Sequence, residues 1–357
     1  MLRLEEYEMR KRVTLKDIAN KANVHVSTVS RALDLSTDAA QSSEAALRIR
    51  TIANEMGYRP NRVAAGLRTQ RTMTIGVMLP DITNTLFPPI VRGIESILEP
   101  RGYASIIVNT DSSADRERQL IDVLADRGVD GIIHTAVLSS DPSIVGVAAS
   151  GMPVVTLNRK IDGSDVPYVI NDESMGIRSI FALLHSFGHR RIAHLAGPSD
   201  LSTGQLRLAA FHAAAREFGL YPDGLLVETS LRFDEDEGRR AATAIHARAP
   251  ETTAILCAND RLALGALQHF KSIGLDCPSE ISITGFNDMP FLNMITPGLT
   301  TVRVQQFRAG AKAASLLLDM IDGNHDRVPR ETILPVHLVE RESVAKPRDA
   351  HQRRLAG

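Results

Sequence analysis

The apolar positions of residues 13–33 recur every three or four residues, which is the spacing of one helix face. The two apolar stripes consist of Leu15, Ile18, Ala19 and Ala22, and of Val26, Val29 and Leu33. Thr14, with Asp17 three residues later, predicts a capping box at the start of the first helix. Asn23 suits a left-handed residue in the turn between the helices. The pattern predicts a helix-turn-helix unit, a motif whose second helix typically enters the major groove of DNA.

Two helices this short bury little surface by themselves, so a third helix is needed to close a core. A helical pattern occupies "SSEAALRIRTIANEMGY". Its predicted core residues are Leu47, Ile52, Ala53 and Met56. Residues 60–71 follow, and "PNRVAAGL" is long enough for about two helical turns. A helix so short is marginal in water, and Gly66 weakens it by about 1 kcal/mol, so we expect it to be largely unfolded without a partner.

From Thr72 onward the pattern changes to short β-rich runs that alternate with helical ones. The strand-like runs are "MTIGVMLP", "YASIIVNT", "DGIIHTA", "MPVVTLN", "RRIAHLAG", "TAILCAND" and "ISITGFND". Helical patterns between them include "FPPIVRGIESILEPRG", "RERQLIDVLADRG", "ESMGIRSIFALLHSFG" and "LRLAAFHAAAREFG". The alternation predicts an α/β body of two doubly wound lobes, each a parallel sheet with helices on both faces.

Polar side chains stand where the predicted strands end. They are Asp81 and Asn84, Asn158 and Arg159, Asn259 and Asp260, and Asn287 and Asp288. Because ligands of such lobes bind beyond the carboxyl ends of strands, these positions predict one cleft between the lobes. An alternative stays open for Asn259, Asp260 and Asp288, since Asn and Asp at strand ends often only cap the following helix.

Charge is unevenly distributed along the chain. Residues 10–71 hold twelve basic and five acidic side chains, which leaves −8 on the rest of a chain whose net charge is −1. A basic head on an acidic body favours a nucleic-acid reader, because the head gains from phosphate contacts while the body is repelled. The alternative is a basic face that is merely solvated.

Several function classes lack their sequence signals. No apolar run approaches the ~20 residues of a membrane helix, and the N-terminus has no apolar signal core, so we expect a cytoplasmic, nucleoid-associated protein. Cys257 and Cys277 form no metal pattern, and we expect free thiols. No phosphate loop, dinucleotide turn, nucleophile elbow or metalloprotease motif occurs, so we expect neither an enzyme nor a cofactor. His185, His189 and His194 are interpreted as structural.

A set of motifs follows a definite order along residues 13–343. They are "VTLKDIA", "VSTVSRAL", "MGYRPNRVAAGLRT", "TIGVMLPDITN", "HLAGP", "CANDRLALGAL", "GFNDMP" and "PGLTTVRV". Their order and spacing together resemble the lactose-repressor (LacI/GalR) family of bacterial transcription regulators. The resemblance implies an all-α helix-turn-helix head, joined by a hinge helix to a body similar to periplasmic sugar-binding proteins.

The resemblance implies a set of DNA contacts on the second helix. Val26, Ser27 and Arg31 would read base edges, and the guanidinium of Arg31 can bind guanine with about 1–3 kcal/mol of discrimination. Val26 offers apolar contact, or alternatively only packs against the core. The side chains expected on phosphates are those of Thr14, Thr28 and Ser30.

His25 departs from the family, which usually has serine just before this helix. Imidazole is a weaker cap, so the helix start would lose about 0.5–1 kcal/mol unless DNA or Ser27 compensates. Protonated His25 could instead contact a phosphate, and affinity for DNA would then rise at lower pH.

The resemblance also explains the lone leucine of residues 60–71. In the family this hinge becomes helical on operator DNA, pairs with its dimer mate and inserts a leucine into the minor groove. Leu67 stands at that position, and such a wedge kinks the duplex. Further hinge contacts are expected from Asn61, Arg62, Ala64 and Arg68.

A third set of implied contacts lies in the cleft. Arg207 matches an arginine that binds effector hydroxyls or carbonyls, and Asn287 stands where a carboxylate is usual. The remaining implied contacts are Asn158, Arg159 and Asn259 among polar groups, and Leu86, Phe87 and Phe233 among apolar ones. This mixture suits a sugar, and the neutral Asn287 disfavours a strongly cationic effector. Arg207 in a surface ion pair and Phe87 in the core are the alternatives.

The expected organisation follows from these observations. It comprises an unstructured extension (1–12), a helix-turn-helix domain (13–59), a hinge and linker (60–71), an effector-binding and dimerisation domain (72–345), and an unstructured tail (346–357). Within the body, the first lobe takes about 72–172 and 304–332, and the second about 173–303 and 333–345. We expect a ligand-gated homodimeric repressor of a pseudo-palindromic operator, with a sugar-like effector. A nucleoside, a purine or a partner protein as the gating agent stays open.

Overall fold

The computed structural model describes residues 13–33, 43–58, 71–221 and 225–348, in two units divided between Gln70 and Arg71. The expected extension (1–12), the hinge helix with Leu67, and the end of the tail (349–357) lie outside the described residues. The other hinge positions there are Asn61, Arg62, Ala64 and Arg68.

The first unit contains three helices in its described part, α1 (Leu15–Ala22), α2 (Val26–Leu33) and α3 (Glu44–Glu55). The predicted capping box is confirmed, since Thr14 Oγ1 accepts from the Asp17 amide at 3.3 Å and Asp17 Oδ2 accepts from the Thr14 amide at 2.8 Å. Asn23 adopts the predicted left-handed conformation, with φ 51°.

The core of this unit differs from the sequence prediction at one position. Leu47 was expected inside but is 56% exposed. The face of α3 that packs on α1 and α2 instead consists of Ala46, Ile49 and Ala53, which are spaced by three and four residues. Leu47 does not fit this spacing and so lies off that face. The predicted core residues Ile52 and Met56 pack against this cluster and are partly buried.

His25 acts as the cap of α2. Its Nδ1 accepts a hydrogen bond from the Ser27 amide at 3.3 Å and lies 2.8 Å from Ser27 Oγ. The imidazole of His25 therefore takes the place of a serine hydroxyl at the start of α2, and the Ser27 hydroxyl contacts the imidazole.

The second unit alternates strands and helices over its described residues. Its strands are β1 (Thr74–Leu79), β2 (Ala104–Asn109), β3 (Gly131–His134), β4 (Val154–Leu157), β5 (Tyr168–Asn171), β6 (Ile192–Ala196), β7 (Leu225–Thr229), β8 (Ala254–Cys257), β9 (Ser282–Thr284), β10 (Thr301–Arg303), β11 (Glu331–Leu334) and β12 (His337–Val339). Its helices are α4 (Phe87–Leu98), α5 (Ala114–Asp126), α6 (Pro142–Ala149), α7 (Glu173–Ser186), α8 (Ser202–Glu217), α9 (Glu235–Arg248), α10 (Asp260–Ser272) and α11 (Gln306–Ile321).

Two parallel sheets define two lobes, as the βα alternation predicts. The first sheet has the order β11-β5-β4-β3-β1-β2 and the second β7-β6-β8-β9, and every pairing within them is parallel. Strands β10 and β12 form a separate antiparallel pair. Chain order reverses between β1 and β3 in the first sheet and between β6 and β8 in the second, so each lobe has a switch point there.

Within the described residues, the chain passes between the lobes after β5, before α11 and after β11. Helix α11 packs on α4 and on strands β3, β4 and β5, which places it in the first lobe. Strand β11 also belongs to the first sheet, so the last crossing follows Leu334. Pro335 comes next, and a proline cannot donate to the strand ladder.

The histidines interpreted as structural have packing roles. His194 is fully buried, its ring stacks 4.7 Å from that of Phe211, and its Nδ1 lies 2.8 Å from the Leu256 carbonyl oxygen. His189 lies between Thr253 Oγ1 and the Ala345 carbonyl, each at 2.8 Å.

Burial of His194 predicts acid sensitivity. Desolvation lowers the pKa of His194 to about 4, whereas the unfolded chain has a value of about 6.5. The unfolded state therefore binds more protons between these values, and stability is lost as pH falls from 6.5 towards 4. We expect His194 to account for a loss of about 2 kcal/mol in the free energy of unfolding between pH 7 and pH 5.

Urea unfolding of the wild type and of His194→Gln at both pH values measures this loss. Asp260 acts in the opposite sense, since burial raises its pKa to about 6, but its contribution is common to both proteins and cancels. An equal pH dependence in the two proteins would contradict the assignment.

Candidate effector and DNA sites

The cleft between the lobes lies at the carboxyl ends of the strands that flank the two switch points. Pro80 and Asp81 follow β1, Ala136 follows β3, Pro198 follows β6 and Asn259 follows β8, and all of them line one cavity of about 410 Å³. This volume falls in the usual range of small-molecule sites.

The structure brings the eight predicted effector contacts to this cavity. They are Leu86, Phe87, Asn158, Arg159, Arg207, Phe233, Asn259 and Asn287. The left-handed backbone of Asn158, with φ 67°, directs the chain into the cavity wall directly after β4. Contact of these side chains with an effector stays a prediction.

Arg207, in the second turn of α8, is 2% exposed and thus lies in no surface ion pair. Its Nε donates to Glu173 Oε2 and its Nη1 to the Ala258 carbonyl, both at 2.5 Å. Its guanidinium carbon stands 3.9 Å above the ring of Phe286, a cation–π contact. These partners fix the guanidinium in one orientation at the cavity wall, which is the preorganisation that a ligand-binding arginine needs.

The asparagines and aspartates at the strand ends divide into two groups. Asn259 lines the cavity and also caps α10, since its Oδ1 accepts from the Leu262 amide at 2.8 Å. Asn287 lines the cavity and is buried, and its Oδ1 has no hydrogen-bond partner among the described residues. Asp260 and Asp288 do not line the cavity. The former accepts from Thr301 Oγ1 at 2.5 Å, and the latter binds Arg303 and Arg341.

Apolar side chains from both lobes line part of the cavity. Leu86 precedes α4 as its N-cap and Phe87 is its first residue; both are almost fully buried and belong to the hydrophobic core as well as to the cavity lining. From the second lobe, Phe233 packs its ring against Gly197, where any Cβ would collide with the ring. A polar rim with an apolar wall suits a sugar, which has hydroxyls at its edge and a hydrophobic face.

Sequence reasoning missed the ionic contacts that hold this wall. Glu173, the partner of Arg207, lies 34 residues before it in the chain. Arg261 donates to Asp81 at 3.0 Å across the cleft and also to Glu235 at 2.7 Å within its own lobe. Asp81 is singled out by its strand-end position, but no local pattern predicts a pairing between residues 180 positions apart.

In the first unit, the expected DNA contacts differ in exposure. His25, Ser27 and Arg31 are exposed, and Arg31 Nε donates to the Ser27 carbonyl of its own helix at 3.3 Å. Val26, Thr28 and Ser30 are partly buried, and Val26 packs against the core cluster. The hydroxyl of Thr14 is exposed and donates to Asp17 Oδ2 at 2.7 Å.

Two family models match the chain. The model of the bacterial regulatory proteins of the lacI family covers residues 14–61, and that of the periplasmic binding protein-like domain covers residues 181–344. The HTH-type transcriptional regulator CelR of Thermobifida fusca is 32% identical over 343 residues, which cover 94% of this chain and 99% of CelR. The HTH-type transcriptional regulator GalR of Escherichia coli K12 is 30% identical over 334 residues, with coverage of 94% and 96%.

Solved structures of transcriptional regulators are also similar to this chain. The lac repressor dimer bound to operator and the anti-inducer ONPF has a TM-score of 0.81 at 27% identity, over 94% of this chain and all of that one. The complex of the transcriptional regulator CelR with cellobiose has a TM-score of 0.71 at 29% identity, over 93% of this chain and all of that one.

A helix-turn-helix unit joined to a two-lobed body with a ligand cleft defines the class of ligand-responsive DNA-binding regulators, and this chain is one of them. It belongs to the lacI family of bacterial regulatory proteins. The relatives compared above are transcriptional regulators rather than enzymes. Among the described residues, no helix is both long and apolar enough to span a membrane, and no His, Cys, Asp and Glu cluster could hold a metal ion.

Proposed function

We propose that this protein is a homodimeric repressor whose DNA affinity is controlled by a sugar-like molecule bound in the cleft between the lobes. The observation that carries the proposal is the convergence of the eight predicted contacts on one cavity, with the guanidinium of Arg207 already fixed at its wall. The solved CelR structure holds cellobiose and the lac repressor structure holds operator DNA. The CelR structure supports a sugar in this cleft, and the lac repressor structure supports an operator at the first unit.

In this proposal, each helix-turn-helix unit binds one half of a pseudo-palindrome. Arg31 and Ser27 read base edges from the exposed face of α2, Val26 contacts a methyl group, and Thr14, Thr28 and Ser30 contact phosphates. The effector alters the arrangement of the lobes, and thereby the affinity for the operator. An effector that weakens operator binding must itself bind less well to the operator complex.

Thermal unfolding with a compound panel tests the effector class. Ligand that binds only the folded state raises the apparent stability, so we expect a shift for a member of the sugar, sugar-acid, polyol or sugar-phosphate groups. Nucleosides, purines and amino acids complete the panel. The same compound should change affinity for an operator selected from random double-stranded DNA. A shift from a nucleoside or purine alone would contradict the sugar assignment.

The ion pair across the cleft predicts a role in closure. Asp81 belongs to the first lobe and Arg261 to the second, and both are partly exposed. Because pairs of this kind contribute about 0–1 kcal/mol, we expect Arg261→Gln to weaken effector binding about two- to fivefold.

Calorimetry on a double-mutant cycle separates this contribution from other effects of Arg261, which also binds Glu235. Asp81→Asn should cost as much as Arg261→Gln, and the double variant no more than either one. Fully additive losses would show that the pair does not couple the lobes to the effector.

A further inference from the structure

The cationic side chains that line the cavity are not equivalent. Three have carboxylate partners: Arg207 with Glu173, Arg232 with Asp234, and Arg261 with Asp81 and Glu235. The fourth, Arg159, is 7% exposed and has no carboxylate within 4 Å in the described part of the chain. Its Nη1 donates to the Ala136 carbonyl at 3.1 Å, and its Nε has no partner.

A buried guanidinium that contacts no carboxylate is costly to the folded state. Desolvation lowers the pKa of Arg159 to about 10, so the side chain is still protonated at neutral pH. Asp200 and Glu117 favour the charged form through space without contacting it, so an anion bound in the cavity would supply a contacting charge and an acceptor for Nε. Arginine is the side chain best suited to this contact, since its fork matches the two oxygens of a carboxylate or phosphate.

The N-terminus of helix α8 lies at the same part of the cavity as Arg159. Helix α8, 16 residues long, begins at Ser202, and its N-cap residue Leu201 makes no side-chain cap hydrogen bond; Leu201 and Thr203 both line the cavity. The amide of Lys160, next to Arg159 in the chain, donates to Ser202 Oγ at 3.0 Å, which brings Arg159 and the helix start together. Amides at a helix N-terminus carry partial positive charge and favour anions.

The acidic groups near Arg159 are otherwise engaged or exposed. Glu117 lies in the wall with its Oε1 3.5 Å from His134 Nε2. Asp200 is exposed, so water screens its charge. Asn158 and Asn287, which complete the wall at two strand ends, carry no charge. Arg159 is therefore a buried cation at the cavity with no carboxylate in contact, while Asp200 and Glu117 act on it from a greater distance.

We infer that the effector is an anionic sugar derivative, whose carboxylate or phosphate binds Arg159 at the start of α8 while its hydroxyls bind Asn287 and Arg207. This inference rests on the proposed function, since it assigns the ligand class of the same cleft. A neutral sugar would fill the cavity but leave the guanidinium of Arg159 without a contacting anion.

Matched probes test the charge requirement directly. The full-length protein is titrated by calorimetry, which suits a chain without tryptophan. The anions are gluconate, glucuronate, galacturonate, glucose 6-phosphate and ribose 5-phosphate, and the controls are glucose, galactose and ribose. We expect an anion to bind roughly ten- to hundredfold more tightly than its neutral parent. The acid and phosphate arms then identify which anionic group fits.

Two substitutions of Arg159 test whether its guanidinium binds the anionic group of the effector. Arg159→Gln should lose the preference for the anion and retain binding of the neutral parent, whereas Arg159→Lys should restore part of the preference. Arg232→Gln is the matched control, because Arg232 lines the same cavity, is exposed and pairs with Asp234. Arg159→Gln should also unfold at no lower temperature than the wild type without ligand, since it removes an unpaired buried charge.

The outcomes separate this inference from the proposed function. A neutral sugar that binds as tightly as every anion and changes operator affinity would overturn the anionic assignment and leave the regulator intact. Absence of binding by all the anions, or an anion preference that survives in Arg159→Gln, would also overturn it. An anion that binds at Arg159 without changing operator affinity would support the ligand class but contradict the regulatory role of the cleft.

Discussion

Arg207→Ala is expected to abolish the effector response while operator binding persists. The guanidinium lies buried at the cavity wall between Glu173 and the Ala258 carbonyl, and it is the most rigidly held of the predicted contacts. Loss of charge-assisted hydrogen bonds to the ligand should weaken effector binding by a hundredfold or more, about 3 kcal/mol. Dose-response curves of operator binding against the effector measure the loss.

The single variant leaves the carboxylate of Glu173 buried without its partner, which costs about 3–5 kcal/mol of stability. The double variant Arg207→Gln with Glu173→Gln removes both charges and keeps the hydrogen-bonding shape, so it should fold and still fail to respond. Arg232→Ala, an exposed residue of the same cavity, is the control and should respond normally. An unchanged dose-response curve in the double variant would exclude Arg207 from the effector site.

Arg31→Ala is expected to weaken specific operator binding by about ten- to hundredfold, or 1–3 kcal/mol, and to relax sequence preference at one base pair of each half-site. The side chain is exposed on α2, and its one described hydrogen bond goes to the carbonyl of Ser27 in its own helix. The guanidinium group of Arg31 can therefore bind the edge of a guanine base. Selection from random DNA by the wild type and the variant measures both effects.

Ser30→Ala serves as the comparison for Arg31→Ala. A residue that contacts phosphate carries no base information, so its loss should weaken binding to all sequences about equally. If Arg31→Ala likewise weakened all sequences alike, Arg31 would be a phosphate contact rather than a base reader. Preserved preference at every position would contradict the assignment in the same way.

Much of the body could be predicted because its strands are short β-rich runs between helical patterns. Helix α9 was not singled out, and its composition explains why. Its sequence is strongly charged, and its buried face consists mainly of small residues such as Gly238 and Ala241. A Cβ at Gly238 would collide with the backbone of Leu262 in α10, so this face is set by close helix packing rather than by large apolar side chains. Such a face gives a weak periodic pattern.

The cleft likewise combines features that the sequence predicts with features that it does not. Strand-end residues such as Asn158 and Asn287 could be assigned to one site, because parallel topology places strand ends together. The states of Arg159 and Arg207 could not be assigned, because they depend on which carboxylates lie near them in space. Glu173 pairs with Arg207 across 34 residues, whereas nothing in the sequence indicates that Arg159 lacks such a partner.

The central claim is that the cleft and the DNA-binding surface are thermodynamically coupled. Its most direct test is calorimetric titration of the effector into the free protein and into the protein saturated with its selected operator. We predict two different dissociation constants, whose ratio equals the factor by which the effector changes operator affinity. Equal dissociation constants for the free and the operator-bound protein would contradict the claim that the ligand in this cleft controls DNA binding.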